Sequence, residues 1–395
     1  MVGCWSFGRA GVKLCPRARS VVPCSAVHAT ATMTGGNGHG APAADSHDRG
    51  DGPTVRAYSP GRVNLIGDHT DYNDGLALPM AIDLGTTVTY VPDIGHRVFL
   101  RSTGEPEPTD IDVHISFDPQ ALSKLEPRWG RYIAAMVACI HPWKGGRGVV
   151  ESTLPVGSGL SSSAALEVAL ALALGFEAEP LTMARLCQRA EQAATNVPTG
   201  LMDQLTVAAA VEGSALLIDF TDLSIRTVPI PEGAEIVVVH SGEHRTLDRT
   251  PYAARRAECE AAAYRLGPLG RLGADAMLGL PDPVLRRRAR HVVTECDRVR
   301  WCAAALGSGD LLDAGRLMSA SHASLAEDFD ASTPGVDALV HHLQARPGVY
   351  GARMTGAGFG GCVVALAEPG AIDLTKFSTP AWRVRPSSGA HVETL

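Results

Sequence analysis

Residues 154–174, LPVGSGLSSSAALEVALALAL, leave the chain little conformational choice. The apolar, β-branched run over 149–154 predicts a strand. Pro155, Gly157 and Gly159 then forbid regular structure, and Ser161, Ser162 and Ser163 open an Ala/Leu-rich run of high helix propensity. Strand, glycine loop, hydroxyl cluster, helix: this order aims several backbone N–H groups and a helix N-terminus at one point. Such a point attracts anions, because first-turn amides have no intrahelical partner and the macrodipole is positive there. Glycines let the backbone approach a phosphate, and a serine hydroxyl can reach the phosphate or its Mg²⁺. The plainer alternative is a serine-capped core helix after a tight turn. No lysine follows the loop, so it is not the GxxxxGK[ST] phosphate loop.

Around this element, 395 residues give room for two domains with ample core. No apolar run approaches the roughly 18 residues a membrane span needs. With 35 basic and 42 acidic residues the formal charge is −7, which argues against nucleic acid as a partner. The nine cysteines are scattered and lack CxxC spacing. Reduced thiols in a cytoplasmic enzyme fit that better than a disulfide scaffold or a zinc site. Residues 1–52 are rich in Gly, Ala, Ser, Pro and His without a period, and predict a disordered extension. Their early arginines weakly resemble a transit peptide, while Met33 as the true start is the blander reading.

Strands are predicted over 55–59 and 62–66 around the Pro60-Gly61 break, then over 84–91 and 98–101. Residues 110–117 alternate with period two, placing Ile111, Val113, Ile115 and Phe117 on one face of a further strand. Helices are expected over 129–140, 182–194 and from Leu201, and strands over 215–220 and 235–240. Beyond these, helices dominate: 249–266, 283–306, 311–326 and 336–345. Strands over 349–355 and 362–367 flank a glycine loop, and 382–385 closes the chain. Strands first and helices later, with antiparallel-looking spacing, indicate an α+β fold. The Arg286–Arg290 run reads as a solvated helix face, and Cys187, Cys259 and Cys362 as small buried apolar residues.

A second polar segment precedes the serine loop. Asp68, His69 and Asp71 crowd into four residues beside Arg62 and Asn64. At that density they suit a metal or a polyhydroxylated ligand. A surface turn is the alternative, since Asp, Asn and Gly favour turns, but the flanking strands are apolar and would half-bury the charges.

Residues 61–73, GRVNLIGDHTDYN, resemble the signature of the galactokinases. Residues 154–165 are similar to the phosphate motif of the wider GHMP kinases, and 351–362, GARMTGAGFGGC, to their third, glycine-rich motif. Three motifs in order over 55–390 make the resemblance specific. Beyond the extension over 1–52, it implies an N-terminal domain like ribosomal protein S5 over 53–230 and a C-terminal GHMP domain over 231–395, with the active site in the cleft between the two domains.

The resemblance also implies roles. Arg62 matches an arginine beside the reacting sugar hydroxyl, and Asp203, in Gly200-Leu201-Met202-Asp203-Gln204, the base. Asp68, His69, Asp71 and Tyr252 match sugar-binding residues, with Thr70 in the same segment. Gly157, Ser158, Gly159, Leu160, Ser161, Ser162 and Ser163 match the phosphate loop, and Trp129 and Tyr132 an aromatic segment near the adenine. Ser163 and Glu191 match the Mg²⁺ ligands, both hard oxygen donors as that ion prefers. Asp203 can take the hydroxyl proton or act mainly as an electrostatic partner of Arg62. One departure stands out: the family usually has Glu where Asp68 stands, one methylene longer.

The implied activity is ATP-dependent phosphorylation of α-D-galactose at O1 with Mg²⁺; the sequence does not fix the oligomeric state, a monomer being favoured, and neither nucleic acid nor membrane is expected as a partner. An N-acetylgalactosamine or other sugar-1-kinase is the near alternative. A catalytically silent sensor of galactose and ATP is the alternative from another class.

Overall fold

The computed structural model describes residues 52–155, 157–243 and 251–395, so the expectations for residues 1–51 and for 244–250 lie outside the described residues. A six-stranded sheet runs in the order His391–Thr394, Val55–Asn64, Pro79–Pro92, Gly146–Ser152, Arg97–Ser102, Thr109–Asp112. It is antiparallel throughout except where Arg97–Ser102 lies parallel to Gly146–Ser152. A four-stranded sheet orders Val349–Met354, Cys362–Ala367, Glu235–His240 and Ala381–Val384. Leu76–Ala77, Ser214–Asp219 and Ser224–Pro229 make a third, three-stranded sheet. The α+β expectation holds.

Helices Arg128–Ile140, Ser162–Ala173 and Pro180–Thr195 cover the large sheet and share its core. Tyr252–Leu266, Pro283–Ser308 and Pro334–Gln344 cover the four-stranded one. Between these two cores lies another. It joins Val63, Leu65, Ile66 and Leu160, beside the two polar loops, to Val299, Cys302, Val364 and Leu366 of the later chain. This shared apolar block holds the glycine–serine loop and the Asp68 segment at fixed positions.

Local chemistry sets the helix ends. Asp282 accepts hydrogen bonds from the Val284 and Leu285 amides, Pro283 takes the first turn, and Gly309 closes the helix at φ 79°. The Ser162–Ala173 helix has no polar face: Ala164, Ala165, Glu167, Val168, Ala169, Leu170 and Ala171 are all buried. Val55–Asn64 is one strand, not two, with a register shift at Pro60/Gly61. A Cβ at Gly61 would sit 2.5 Å from Leu154 Cδ2 and 2.7 Å from the Leu160 carbonyl, so glycine alone lets this strand touch the serine loop.

Three further expectations need correction, and one strand went unread. The 110–117 strand stops at Asp112, whose side chain accepts from the His114 amide at 2.8 Å and turns the chain despite its alternating pattern. Arg288 in the arginine run is buried, not solvated, donating to Glu258 Oε2 at 2.6 Å and the Asp328 carbonyl at 2.7 Å. The chain closes on His391–Thr394, which pairs with Val55–Tyr58 after the 381–384 strand. Ser224–Pro229, largely exposed, is a strand that its polar composition concealed. Cys187, Cys259 and Cys362 are buried as expected. Among the described residues no helix is long and apolar enough to cross a membrane.

Candidate active site

A cleft of about 470 Å³ opens between the two polar loops. Its lining includes Arg62, Asp68, His69, Asp71, Trp129, Tyr132, Gly157, Gly159, Ser161, Ser162, Ser163, Glu191, Asp203 and Tyr252. Three of the expected residues stay out of that lining. Thr70 Oγ1 donates to the Gly67 and Leu76 carbonyls and ties the loop together. Ser158 Oγ donates to the Pro155 carbonyl, and Leu160 packs in the shared core while its carbonyl accepts from the Arg62 amide.

Arg62 and Asp203 meet at the centre. Arg62 Nε donates to Asp203 Oδ1 at 2.8 Å, its Nη2 pairs with Oδ2, and its Nη1 donates to the Gly159 carbonyl at 2.6 Å. This fork on a carboxylate is the geometry guanidinium favours. Asp203 opens the Met202–Ala209 helix, and its Oδ2 also accepts from Ser161 Oγ at 2.5 Å. Ser161 is held at φ 59°, a left-handed backbone rare for a non-glycine residue. Its side chain therefore serves Asp203 and leaves the amides of the Ser162–Ala173 helix uncapped, facing the cleft.

On one side of this pair lies the glycine–serine loop. Ser163 Oγ donates to Glu191 Oε1 at 2.7 Å. Gln204 Nε2 reaches Glu191 Oε2 at 2.9 Å and Glu167 Oε2 at 3.1 Å, so two buried carboxylates share one amide. Burial first, then Asp203's charge in the case of Glu191 and Glu191's in the case of Glu167, raise both carboxyls above their ordinary range. A hard cation fits the Ser163–Glu191 oxygen pair. No group of three or more His, Cys, Asp or Glu suited to a metal exists among the described residues. Such an ion would draw its remaining ligands from phosphate and water.

On the other side is an acidic and aromatic pocket. Asp71 lies in a 3₁₀ turn, and its carboxyl is pushed up to about 6 by burial and by Asp203's charge. A Cβ at Gly200 would fall 1.6 Å from Asp71 Oδ2, so any larger residue there would push the Asp71 carboxylate out of place. The His69 ring stacks on Phe329 with centroids 4.3 Å apart, neighbours Tyr252 at 5.7 Å, and bonds through Nδ1 to Tyr72 Oη at 2.8 Å. Burial raises the phenols of Tyr72 and Tyr252 well above the usual value, so both remain neutral donors. Trp129 donates its indole N–H to the Glu107 carbonyl at 2.9 Å and lines the cleft with Tyr132.

Sequence reasoning assigned no role to Gln204, Glu167 or Arg353. The first and third stand inside quoted motifs; Glu167 carried one signal, a lone charge in an otherwise apolar helix.

The fold that carries this cleft is that of the GHMP kinases. The N-terminal domain of GHMP kinases matches residues 120–213, and their C-terminal domain matches 302–375. The fold is shared with the mevalonate kinase of Methanococcus jannaschii at a TM-score of 0.61, 18% identity, and coverage of 84% of this chain and 98% of that one. Within this class, the galactokinase galactose-binding signature matches residues 47–92. The chain is 41% identical over 332 residues to the galactokinase of Canis lupus familiaris, spanning 80% of this chain and 84% of that protein. It is 43% identical over 346 residues to the galactokinase of Chloroflexus aurantiacus, spanning 81% and 86%. The crystal structure of Lactococcus lactis galactokinase complexed with galactose matches with a TM-score of 0.78 and 29% identity, covering 86% of this chain and 95% of that one. The chain belongs to the galactokinase family.

Proposed function

We propose that the cleft phosphorylates α-D-galactose at O1 with ATP, with Asp203 as proton acceptor and Arg62 as its electrostatic partner. The observation that carries this reading is the position of the pair. Arg62 and Asp203 touch Gly159 and Ser161 of the phosphate loop, and the same cleft wall continues into Asp71, His69 and Tyr252. A hydroxyl seated on the acidic side therefore faces a phosphoryl group seated on the serine side. The O1–H proton passes to the Asp203 carboxylate as O1 bonds to the γ-phosphorus, and the bond to the bridging oxygen of ADP breaks. Arg62 stays charged and favours the developing alkoxide.

Asp71 and Tyr252 then supply an acceptor and a donor to sugar hydroxyls, and the His69 edge frames the ring. Gly157, Gly159 and the first amides of the Ser162–Ala173 helix take the phosphates. Trp129 and Tyr132 line the end left for adenine. Ser163 and Glu191 would hold a Mg²⁺, whose charge neutralises the phosphate oxygens. The same reading divides the chain into two domains near residue 230, and its support is that the flanking strands Ser224–Pro229 and Glu235–His240 belong to different sheets.

The test is a hexose panel. With ATP and Mg²⁺, galactose should release ADP with the highest kcat/KM among galactose, glucose and N-acetylgalactosamine. Preference for another sugar would replace the substrate, and galactose binding without ADP release would mean a sensor.

A further inference from the structure

The segment that carries Asp68 and His69 is held from behind by groups that play no part in the chemistry above. Arg353, on the Val349–Met354 strand, is 0% exposed. Its Nη1 donates to the Asn64 carbonyl at 3.2 Å and its Nη2 to Asp68 Oδ2 at 2.5 Å. The other Asp68 oxygen accepts from the Gly356 amide at 3.1 Å. Both oxygens of this 2%-exposed carboxylate are thus engaged by protein donors.

The neighbouring backbone is fastened in the same way. Glu295 Oε1 accepts from the Gly67 amide at 3.0 Å, His291 Nε2 donates to the Asp68 carbonyl at 3.1 Å, and Thr355 Oγ1 accepts from the Asn64 amide at 2.9 Å. All of these anchors come from the Pro283–Ser308 helix or from residues 353–356. Gly67 and His69 sit at φ 97° and 64°, so the segment is bent in a way it would not hold unaided. The anchors supply the restraint.

We propose that Asp68 and Arg353 form a tether that positions the sugar-side loop, making Arg353 a positioning residue for the sugar and Asp68 an anchor, not a grip on one hydroxyl. This rests on the galactose reading above. Its consequence is geometric. Loosening the tether displaces His69 and Asp71 together, so recognition is weakened over the whole ring and not at a single position.

The test compares wild type, Arg353→Lys, Asp68→Asn and the double variant Asp68→Asn/Arg353→Met. Removing one partner leaves a buried charge uncompensated and endangers folding; the double variant removes both charges and is the safer form. KM and kcat/KM are measured for ATP, for galactose, and for its 2-, 3-, 4- and 6-deoxy analogues. The tether predicts a galactose KM raised ~10-fold or more, with every analogue losing the same factor and the ATP KM within ~2-fold of wild type. If one analogue is spared while galactose and the others fall, Asp68 grips that hydroxyl and the tether is wrong. An equal rise in both KM values, or no change in either, also overturns it. Wild type failing to use galactose at all would instead bring down the functional reading.

Discussion

The two ends of the cleft both bury carboxylates, and they treat them in opposite ways. At the sugar end the two most deeply buried acids each have a cation, Asp68 with Arg353 and Glu295 with Arg298 at 2.7 Å, while the less enclosed Asp71 has no such ion pair among the described residues. Burial pushes Glu295 up, but Arg298, His291 and Arg353 outweigh it and hold its carboxyl at about 2. At the phosphate end Glu167 and Glu191 face each other across one Gln204 amide, and among the described residues neither forms an ion pair. Two buried acids without a cation are unfavourable as they stand, and favourable once a cation arrives. On the proposed roles, the sugar side supplies the cations for its two deepest acids from the protein itself, and the phosphate side would take the cation for Glu191 from Mg²⁺.

Four perturbations break or sharpen this contrast, in falling order of effect. Asp203→Asn removes the group where the two ends meet, and kcat should fall about 10²–10⁴-fold with galactose binding retained. A kcat within a few-fold of wild type would take Asp203 out of the proton's path. Glu191→Gln deletes charge at the incomplete end only. The Mg²⁺ concentration for half-maximal rate should rise ~10-fold while the galactose KM stays put, as a titration of rate against Mg²⁺ will read.

The third perturbation is pH at the sugar end. Asp71 takes up a proton as pH drops through about 6, losing its charge as an acceptor, so galactose affinity should fall below that point. Asp203→Asn removes one of the two causes that raise Asp71, and the midpoint of binding against pH should move downward. For folding the sign reverses: the folded-state value lies above 3.8, so Asp71's contribution to stability declines as pH climbs from there through about 6. The smallest effect is expected for Glu167→Gln. Wild type loses stability as pH rises above 4.5 and ionisation of Glu167 is resisted, whereas the variant has no proton to lose. Metal-free Glu167→Gln should therefore gain stability relative to wild type as pH rises from acid to neutral, read from denaturant melts. A gap that does not vary with pH would mean Glu167 titrates normally.

What the sequence disclosed follows the same division. The phosphate end is built from residues 157–163 with Glu191 and Asp203 close behind, so local chemistry announced it: glycines, a serine cluster, a helix start. The sugar end depends on pairs that lie far apart in the chain, such as Asp68 with Arg353 and Gly67 with Glu295, 285 and 228 positions away. No local pattern signals such a pair; Arg353 stood in a quoted motif with no role attached. Periodicity misled at 110–117, where the Asp112 side chain competed for the backbone, and it missed the short pairing of 391–394 with the first strand. Thr70 looked like a ligand because it sits among them, yet its hydroxyl is spent on two loop carbonyls.

The contrast between a finished sugar end and an unfinished phosphate end is tested most directly by calorimetric titration of the metal-stripped protein. Galactose and a non-hydrolysable ATP analogue are each titrated with and without Mg²⁺. The account predicts a galactose Kd that does not change on adding Mg²⁺, and a nucleotide Kd that tightens ~10-fold or more. A galactose affinity that rises with Mg²⁺, or a nucleotide affinity indifferent to it, would contradict it.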